Sequence, residues 1–457
     1  MVKRAVCVVA AVALEALARH DVSADGQERA LAVAREVEHL ASQRTLWPGF
    51  DARAIPLAIY IGERTYLFRH PVPPKGFTAV AGSRPAAYSQ PGRHPAVTAN
   101  SSAEIGGIMT ATLLTDASAA DRPARALAAV ALHEAFHVYQ RKRHPGWQGN
   151  EGDFLLYPVT DARLLALRRL ETEALRRALA DSTPAHAAGW TRRALGLRAA
   201  RFASMDSAFS NYERRTELNE GLATYVQLRA EGKSSVEIPA REFAASDVRQ
   251  RVYAIGPALA FLLDRFQPGW QELLESGERT HLDQVLEAAV SAADTASCTF
   301  TDSEVADIER RARQDAQAVV GLRVERRKAF DARPGWRLII EAADGRPLWP
   351  QGFDPLNVQV VEGGLLHTRF LRLGNDSGQM EAIDGTGADL EALTEGLGPH
   401  PLFNGIRRVV IAGLAKPEVT TRGSRVEIRA PGLAVGFANA RMREVGTEVV
   451  VQLGTAK

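Results

Sequence analysis

Up to about residue 330 the apolar positions recur mostly at helical spacing, and after that they alternate with polar ones. Leu31, Ala34, Val37 and Leu40 place a core stripe on a helix from Gln27 to Gln43. Ile55 to Ile61, Thr65 to Arg69 and Phe77 to Ala81 have strand character, and Pro71, Pro73 and Pro74 bar a helix between them. Helical patterns return from Ala124 to Arg143, with Asp121 as N-cap, Pro123 in the first turn and Pro145-Gly146 as the stop. They continue over Asp161 to Ala180, Pro184 to Ala203, Asn211 to Ala230, Arg251 to Leu263, Asp283 to Ala293 and Asp302 to Val320. Beyond Arg333, short alternating stretches lie between Gly, Pro, Asn and Asp turns. They are Trp336 to Glu341, Leu356 to Glu362, Leu365 to Leu373, Arg407 to Ala412, Arg425 to Ala430 and Glu448 to Leu453.

The helix after Pro123 carries His133-Glu134-Ala135-Phe136-His137. Histidines four apart lie one turn above each other, so both rings can reach a single metal ion. Neutral imidazoles suit Zn²⁺, and a catalytic zinc keeps three protein ligands and an open position. Glu134 stands where it can take a proton from water. Leu127, Val130 and Ala131 give this helix an apolar stripe, and Arg141-Lys142-Arg143 suits its C-terminal dipole. A carboxylate from a second helix would complete the ligands. Glu213, Glu217, Glu220 and Thr224 share one face of the pattern from Asn211 to Ala230.

The string Asn219-Glu220-Gly221-Leu222-Ala223-Thr224-Tyr225 after His-Glu-x-x-His resembles the gluzincin metallopeptidases, most closely their aminopeptidase-N-like branch. The resemblance covers about Gly106 to Leu263. It implies a zincin-like fold with Glu220 as third zinc ligand. Glu217 stands as the alternative ligand, or as a hydrogen-bond partner of a ligand histidine. Tyr253, three residues before Gly256, matches the branch's oxyanion-stabilising tyrosine, whereas the branch's lysine before that glycine is Ile255 here. Gly106, Gly107, Ile108 and Met109 match its substrate-pairing strand, but Met109 and Thr110 stand where the branch has an amine-binding acid. Without that acid, unless Glu104 or another replaces it, an endopeptidase is expected rather than an aminopeptidase. Here Tyr139 to Thr216 also separates the second histidine from the third ligand, where the branch has a short segment, so a helical insertion at about 140–210 is expected. Its ends can still meet, because loop-closure entropy grows slowly with length. Metzincins fit badly: their glycine and third histidine would fall on Gln140 and Arg143.

The expected fold class is therefore α+β. Residues 19–120 form a helix and small sheet, 121–330 a helical zinc-binding domain, and 331–457 an all-β sandwich or barrel. With 457 residues and 46% hydrophobic content, the chain can bury such cores. A net charge of +2 does not suggest nucleic acid, and no segment is apolar enough for a transmembrane helix. Peptide or protein is the expected partner. Arg168-Arg169, Arg176-Arg177 and Arg192-Arg193 suggest solvated helix faces. Residues 1–18 combine Lys3-Arg4, an apolar run and Ala16-Leu17-Ala18, as in a signal peptide for export to a periplasm or the exterior. Glu15 leaves open an ordinary first helix and a cytoplasmic protein. Removing Cys7 would leave Cys298 alone, without an intrachain disulfide. His367 and His400 are expected to pack rather than ligate. A zincin-fold binding protein without catalysis and a zinc hydrolase of non-peptide amides remain the competing functions. An intact Glu134 argues against the first.

Overall fold

The computed structural model describes residues 25–115, 122–240, 242–291, 296–383 and 391–454. Asp121, Cys7 and the signal-like residues 1–18 lie outside them. The chain is mixed α+β and divides into two compact units, Met1–Gly149 with Leu167–Ala306, and Asn150–Ala166 with Asp307–Lys457. The small sheet and the metal-motif helix, read from sequence as successive lobes, belong to the same unit.

The first unit opens with helix α1 (25–43). A six-stranded sheet follows: β1 (Leu57–Ile61), β2 (Arg64–Phe68), β3 (Thr78–Ala79), β4 (Ala87–Pro91), β5 (Ser101–Ile105) and β6 (Ile108–Leu114). Its strand order is β3-β4-β2-β1-β6-β5. Only β1 and β6 run parallel, in register Leu57↔Ala111 to Tyr60↔Leu114. Strands β4 and β5 were not anticipated, because Ser101-Ser102-Ala103-Glu104 carries almost no β-branched or aromatic residue.

Helix α2 (Ala124–Arg143) packs on β5 and β6. Pro123 sits at its N-cap, and three cations occupy its last turn. The helix is buried on nearly every side from Leu127 to Phe136, so it is a central element rather than the amphipathic one its stripe suggested. Trp47 packs edge-on against Phe136, with ring centroids 5.5 Å apart, and its indole donates to Glu275 Oε1 at 2.6 Å. Tyr139 donates to the same oxygen at 2.9 Å, so one carboxylate ties the end of α2 to its neighbours.

The other helices are α3 (Glu151–Phe154), α4 (Ala162–Ala180), α5 (Pro184–Phe202), α6 (Ser207–Thr216), α7 (Leu222–Ala230), α8 (Val248–Phe266), α9 (Trp270–Glu275), α10 (Leu282–Ser291) and α11 (Asp302–Asp331). The division between units falls inside α4 and α11. Two sequence expectations change here. The single helix from Asn211 to Ala230 is broken by a π-helical turn, Glu217–Gly221, between α6 and α7. Arg168 and Arg169 are buried rather than solvated: Arg168 donates to the Ala244 and Ala245 carbonyls at 3.0 and 2.9 Å, and Arg169 pairs with Glu242 at 3.1 Å.

The second unit carries β7 (Trp336–Glu341), β8 (Trp349–Phe353), β9 (Val358–Val361), β10 (Gly364–His367), β11 (Phe370–Asn375), β12 (Gly378–Ile383), β13 (Glu391–Gly396), β14 (Ile406–Leu414), β15 (Glu418–Arg422), β16 (Arg425–Ala430), β17 (Leu433–Phe437), β18 (Ala440–Val445) and β19 (Glu448–Leu453). They form sheets ordered β18-β19-β7-β14-β13-β10-β9 and β15-β16-β17-β12-β11-β8. Both sheets face one core, built from Leu338, Ile340, Val409 and Ile411 of the first and Leu371, Leu373, Met380 and Phe437 of the second. Leu155 joins this core, so 150–166 folds with the sandwich and not with the expected insertion. The stretch from Leu365 to Leu373 is not one strand: the chain leaves one sheet after His367 and enters the other at Phe370. Helix α11 outlasts its expected end at Val320, and Phe330 covers the outer face of the seven-stranded sheet with Ile339, Val410 and Val450.

His367 and His400 are packing residues. His400 accepts the Leu402 and Phe403 amides on Nδ1, at 3.2 and 3.1 Å. His367 is buried, 3.1 Å from the Thr394 hydroxyl, and burial pushes its pKa down to about 3. The unfolded chain takes up this proton near pH 6.5 and the folded chain resists it. Its contribution is therefore complete above pH 6.5 and lost as pH falls toward 3, at about 1.4 kcal/mol per unit. Denaturant unfolding at pH 7 and pH 5 should show the wild type losing about 2 kcal/mol more than His367→Leu between the two. Equal losses would show that the folded protein accepts the proton.

Candidate metal centre

The four-residue spacing of His133 and His137 brings their rings together on the buried middle of α2, with centroids 4.8 Å apart. Glu220, from the π-helical turn, faces both. The distance between the two Nε2 atoms is 3.1 Å, and Glu220 Oε2 lies 3.3 Å from His137 Nε2 and 3.7 Å from His133 Nε2. Among the described residues this is the one group of three such side chains close enough to hold a metal ion. The donor set fits one. Tetrahedral bonds of about 2.0–2.1 Å separate neighbouring donor atoms by about 3.3–3.4 Å, which the three distances bracket. Two ring nitrogens and a carboxylate oxygen this close also require a cation, whether a proton or a metal, to screen their lone pairs.

Gln140 settles which nitrogen of His137 faces inward. Its amide nitrogen donates to the Leu218 and Asn219 carbonyls at 2.8 and 3.0 Å, so its oxygen must face His137 Nδ1, 2.8 Å away. That nitrogen is then the donor, and Nε2 presents its lone pair to the centre. The same amide fastens α2 to the turn that carries Glu220. Gln140 is i+3 from His137 on one helix face. That was the available signal for this role, which the sequence had assigned to Glu217.

Glu217 does not reach a histidine. The π-helical turn rotates it away, and its Oε2 accepts from Arg198 in the interior of the unit. Glu213 likewise leaves the expected common face and pairs with Arg201 and Arg251. Arg198 and Arg251 approach Glu171 Oε1 at 3.0 and 2.7 Å, Arg201 approaches Oε2 at 2.6 Å, and Asp283 joins Arg198 at 3.2 Å. Burial pushes the Glu217 carboxyl up to about 7 despite Arg198, with the charges of Glu213 and Asp283 adding to it. This ion cluster joins α4, α5, α6, α8 and α10 to the turn beside the site.

Tyr253 and Arg249 come from α8, four residues apart and so on one face. The Tyr253 hydroxyl donates to Glu220 Oε2 at 2.9 Å, and its ring stacks on His133 with centroids 6.5 Å apart. Arg249, which the sequence did not single out, donates to Glu220 Oε1 at 2.7 Å and to the Tyr253 hydroxyl at 2.9 Å. Burial opposes ionisation of Glu220, but its contacts with both histidine rings and the Arg249 charge hold it well below the usual carboxylate range. Burial and the Glu220 charge push the Tyr253 phenol up to about 12, so it is a neutral donor. Glu134 is buried beside the group, and burial raises its carboxyl to about 7 against the pull of His137. Among the described residues no group hydrogen-bonds it.

The substrate strand needs correction. Gly106 and Gly107 are the two-residue turn of the β5–β6 hairpin, with φ of 56° and 79°. Ile108 and Met109 pair with Ile105 and Glu104. β6 is an inner strand, and the sheet edge is β5. Arg141, one turn past His137, donates to the Ser102 carbonyl of β5 at 3.2 Å, and Glu104 is exposed on that strand. The sheet edge beside α2 is therefore β5, and Ile108 and Met109 are already paired to it.

No family model, curated protein or solved structure matches the chain.

The turn and α8 meet backbone to backbone. A Cβ on Gly256 would lie 2.4 Å from Gly221 Cα, and one on Gly221 would lie 2.7 Å from Gly256 Cα. This contact sets Glu220 and Tyr253 in register. Gly256→Ala should force the helices apart, costing about 1–3 kcal/mol in denaturant unfolding. A zinc competition titration should also show weaker metal binding. Unchanged affinity would mean that the crossing does not position Glu220.

Proposed function

We propose that the chain is a zinc-dependent hydrolase of peptide bonds, a gluzincin-like endopeptidase with a zincin-like catalytic region. The observation that carries this is the convergence of His133, His137 and Glu220 with Glu134 and Tyr253 around one centre. His133 Nε2, His137 Nε2 and one oxygen of Glu220 would hold Zn²⁺, as three ligands that leave a position open. Bound there, zinc supplies Lewis acidity to a carbonyl oxygen and makes water acidic. Glu134 takes the proton from the attacking water and delivers it to the leaving nitrogen. Its buried carboxyl, with no competing hydrogen bond, suits a group that gains and loses a proton in one cycle. Tyr253 donates to the oxygen on which negative charge develops. The edge of β5 pairs with an extended peptide. A site with no use for a base would not need an acid at Glu134, which disfavours a purely structural metal.

Purified protein should bind about one zinc per chain, and His137→Ala should lose most of it. Glu134→Gln should keep zinc while hydrolysis of a peptide library falls by at least ~10². A fully active Glu134→Gln variant would sink the mechanism.

The absence of an acid at Met109 and Thr110 supports internal cleavage, because a buried ammonium without a carboxylate partner is costly. Glu104 on β5 is the acid that could substitute. A peptide and its N-acetylated twin should be cut at the same internal bonds at comparable rates. Release of single N-terminal residues, abolished by acetylation and by Glu104→Gln, would instead make the enzyme an aminopeptidase.

A further inference from the structure

Among the described residues, Arg249 is the one cation hydrogen-bonded to the centre that the mechanism above leaves without a task. Its guanidinium spans two partners at once: Nη2 donates to Glu220 Oε1 at 2.7 Å, and Nη1 donates to the Tyr253 hydroxyl at 2.9 Å. That hydroxyl in turn donates to Glu220 Oε2 at 2.9 Å, closing a ring of three side chains. The two oxygens of Glu220 are thereby distinguished. Oε2 faces the histidine nitrogens, and Oε1 is turned to Arg249.

We propose that Arg249 is a positioning residue that limits Glu220 to ligation through one oxygen and holds the Tyr253 phenol in place. This rests on the hydrolase reading and adds a role within the same site. A carboxylate can offer a cation either one oxygen or two. With two histidines and one oxygen, a four-coordinate ion keeps a place for water. If Glu220 turned both oxygens to the ion, the water would share a five-coordinate ion made less acidic by the extra carboxylate donor. The Arg249 bond to Oε1 opposes that turn, and a charge-assisted bond is about twice as strong as a neutral one. Arg249 also fixes the phenol oxygen from the side opposite its proton. When Oε2 is shared with a metal, the hydroxyl hydrogen is free to swing to a developing oxyanion without moving the ring, and the adjacent cation makes it a better donor. A lysine lacks the planar fork to hold both partners together.

Cobalt(II) in place of zinc makes coordination visible, because four-coordinate Co²⁺ absorbs more strongly than five-coordinate Co²⁺. Wild type, Arg249→Met and Arg249→Lys would be loaded with Co²⁺, their visible spectra recorded, and their zinc forms assayed on a peptide library. Arg249 lies in the first turn of α8 and is partly exposed, so both variants should fold. Arg249→Met should retain metal, lose about half or more of the absorption, and fall ~10²-fold in kcat with little change in KM. Arg249→Lys should keep the spectrum and fall ~10-fold in kcat, having lost only the phenol contact. Adding Tyr253→Phe to Arg249→Lys should then cost no more than Tyr253→Phe alone. An unchanged Arg249→Met spectrum overturns the proposal whatever kcat does. So does a loss confined to KM for peptides bearing an acid near the cut, which would make Arg249 a substrate clamp. If wild type binds the metal but cuts no peptide, the hydrolase reading fails, while the spectra still decide what Arg249 does.

Discussion

Seven charged side chains sit in the interior of the first unit with little access to water: Arg198, Arg201 and Arg251 against Glu171, Glu213, Glu217 and Asp283. Buried charges persist only when they are paired and hydrogen-bonded, so five helices and one turn must arrive in a single arrangement. Arg214, nearer the surface, reaches Asp283 at 2.8 Å and brings the positive count to four. Removing one partner from such a cluster strands the others, at about 3–5 kcal/mol. The cluster ends at Glu217, three residues from Glu220. The turn that presents Glu220 is thus held from behind by the interior ions, from one side by Gln140, and from the other by the Gly221–Gly256 contact.

This framework explains how a long excursion of chain can separate Glu220 from the histidines it faces. The helices between His137 and Glu220 are not an appendage to the site. Glu171 of α4, Arg198 and Arg201 of α5, and Glu213 of α6 are themselves members of the ion cluster. The intervening chain supplies the scaffold that fixes where Glu220 points. It also accounts for the π-helical turn. With uninterrupted α-helix, Glu213, Glu217 and Glu220 would share one face; the wider turn sends two of them to the arginines and one to the histidines.

Much of this was legible in the chain. His133, Glu134 and His137 fall on a helix and converge, because a four-residue spacing on an α-helix is a local property. The Asn-Glu-Gly string marked the acid that faces the histidines, and the tyrosine before Gly256 hydrogen-bonds that acid. The β texture after Arg333 was visible as alternation, though it took the structure to separate β10 from β11 into different sheets. The misses share a cause. Glu217 was read as a partner of the site, Arg168 and Arg169 as solvated, and Arg198, Arg201 and Arg249 were not singled out, since a sequence pattern carries no measure of burial by distant elements. Gly106 to Met109 looked like a free strand because nothing in its neighbours announced that Ser101 to Ile105 would fold back beside it.

The sequence alone determined which residues share a face within several elements: the two histidines and their glutamate, and the alternating strands of the sandwich. Only tertiary structure decided which acid meets the histidines, which strand forms the sheet edge, and which charges are buried. The physical reason is range. Side-chain direction along one helix or strand follows from backbone periodicity over a few residues. The orientation of one element against another follows from contacts between residues far apart in sequence. Here those contacts are the glycine crossing, the Gln140 bridge and the mutual neutralisation of buried charge.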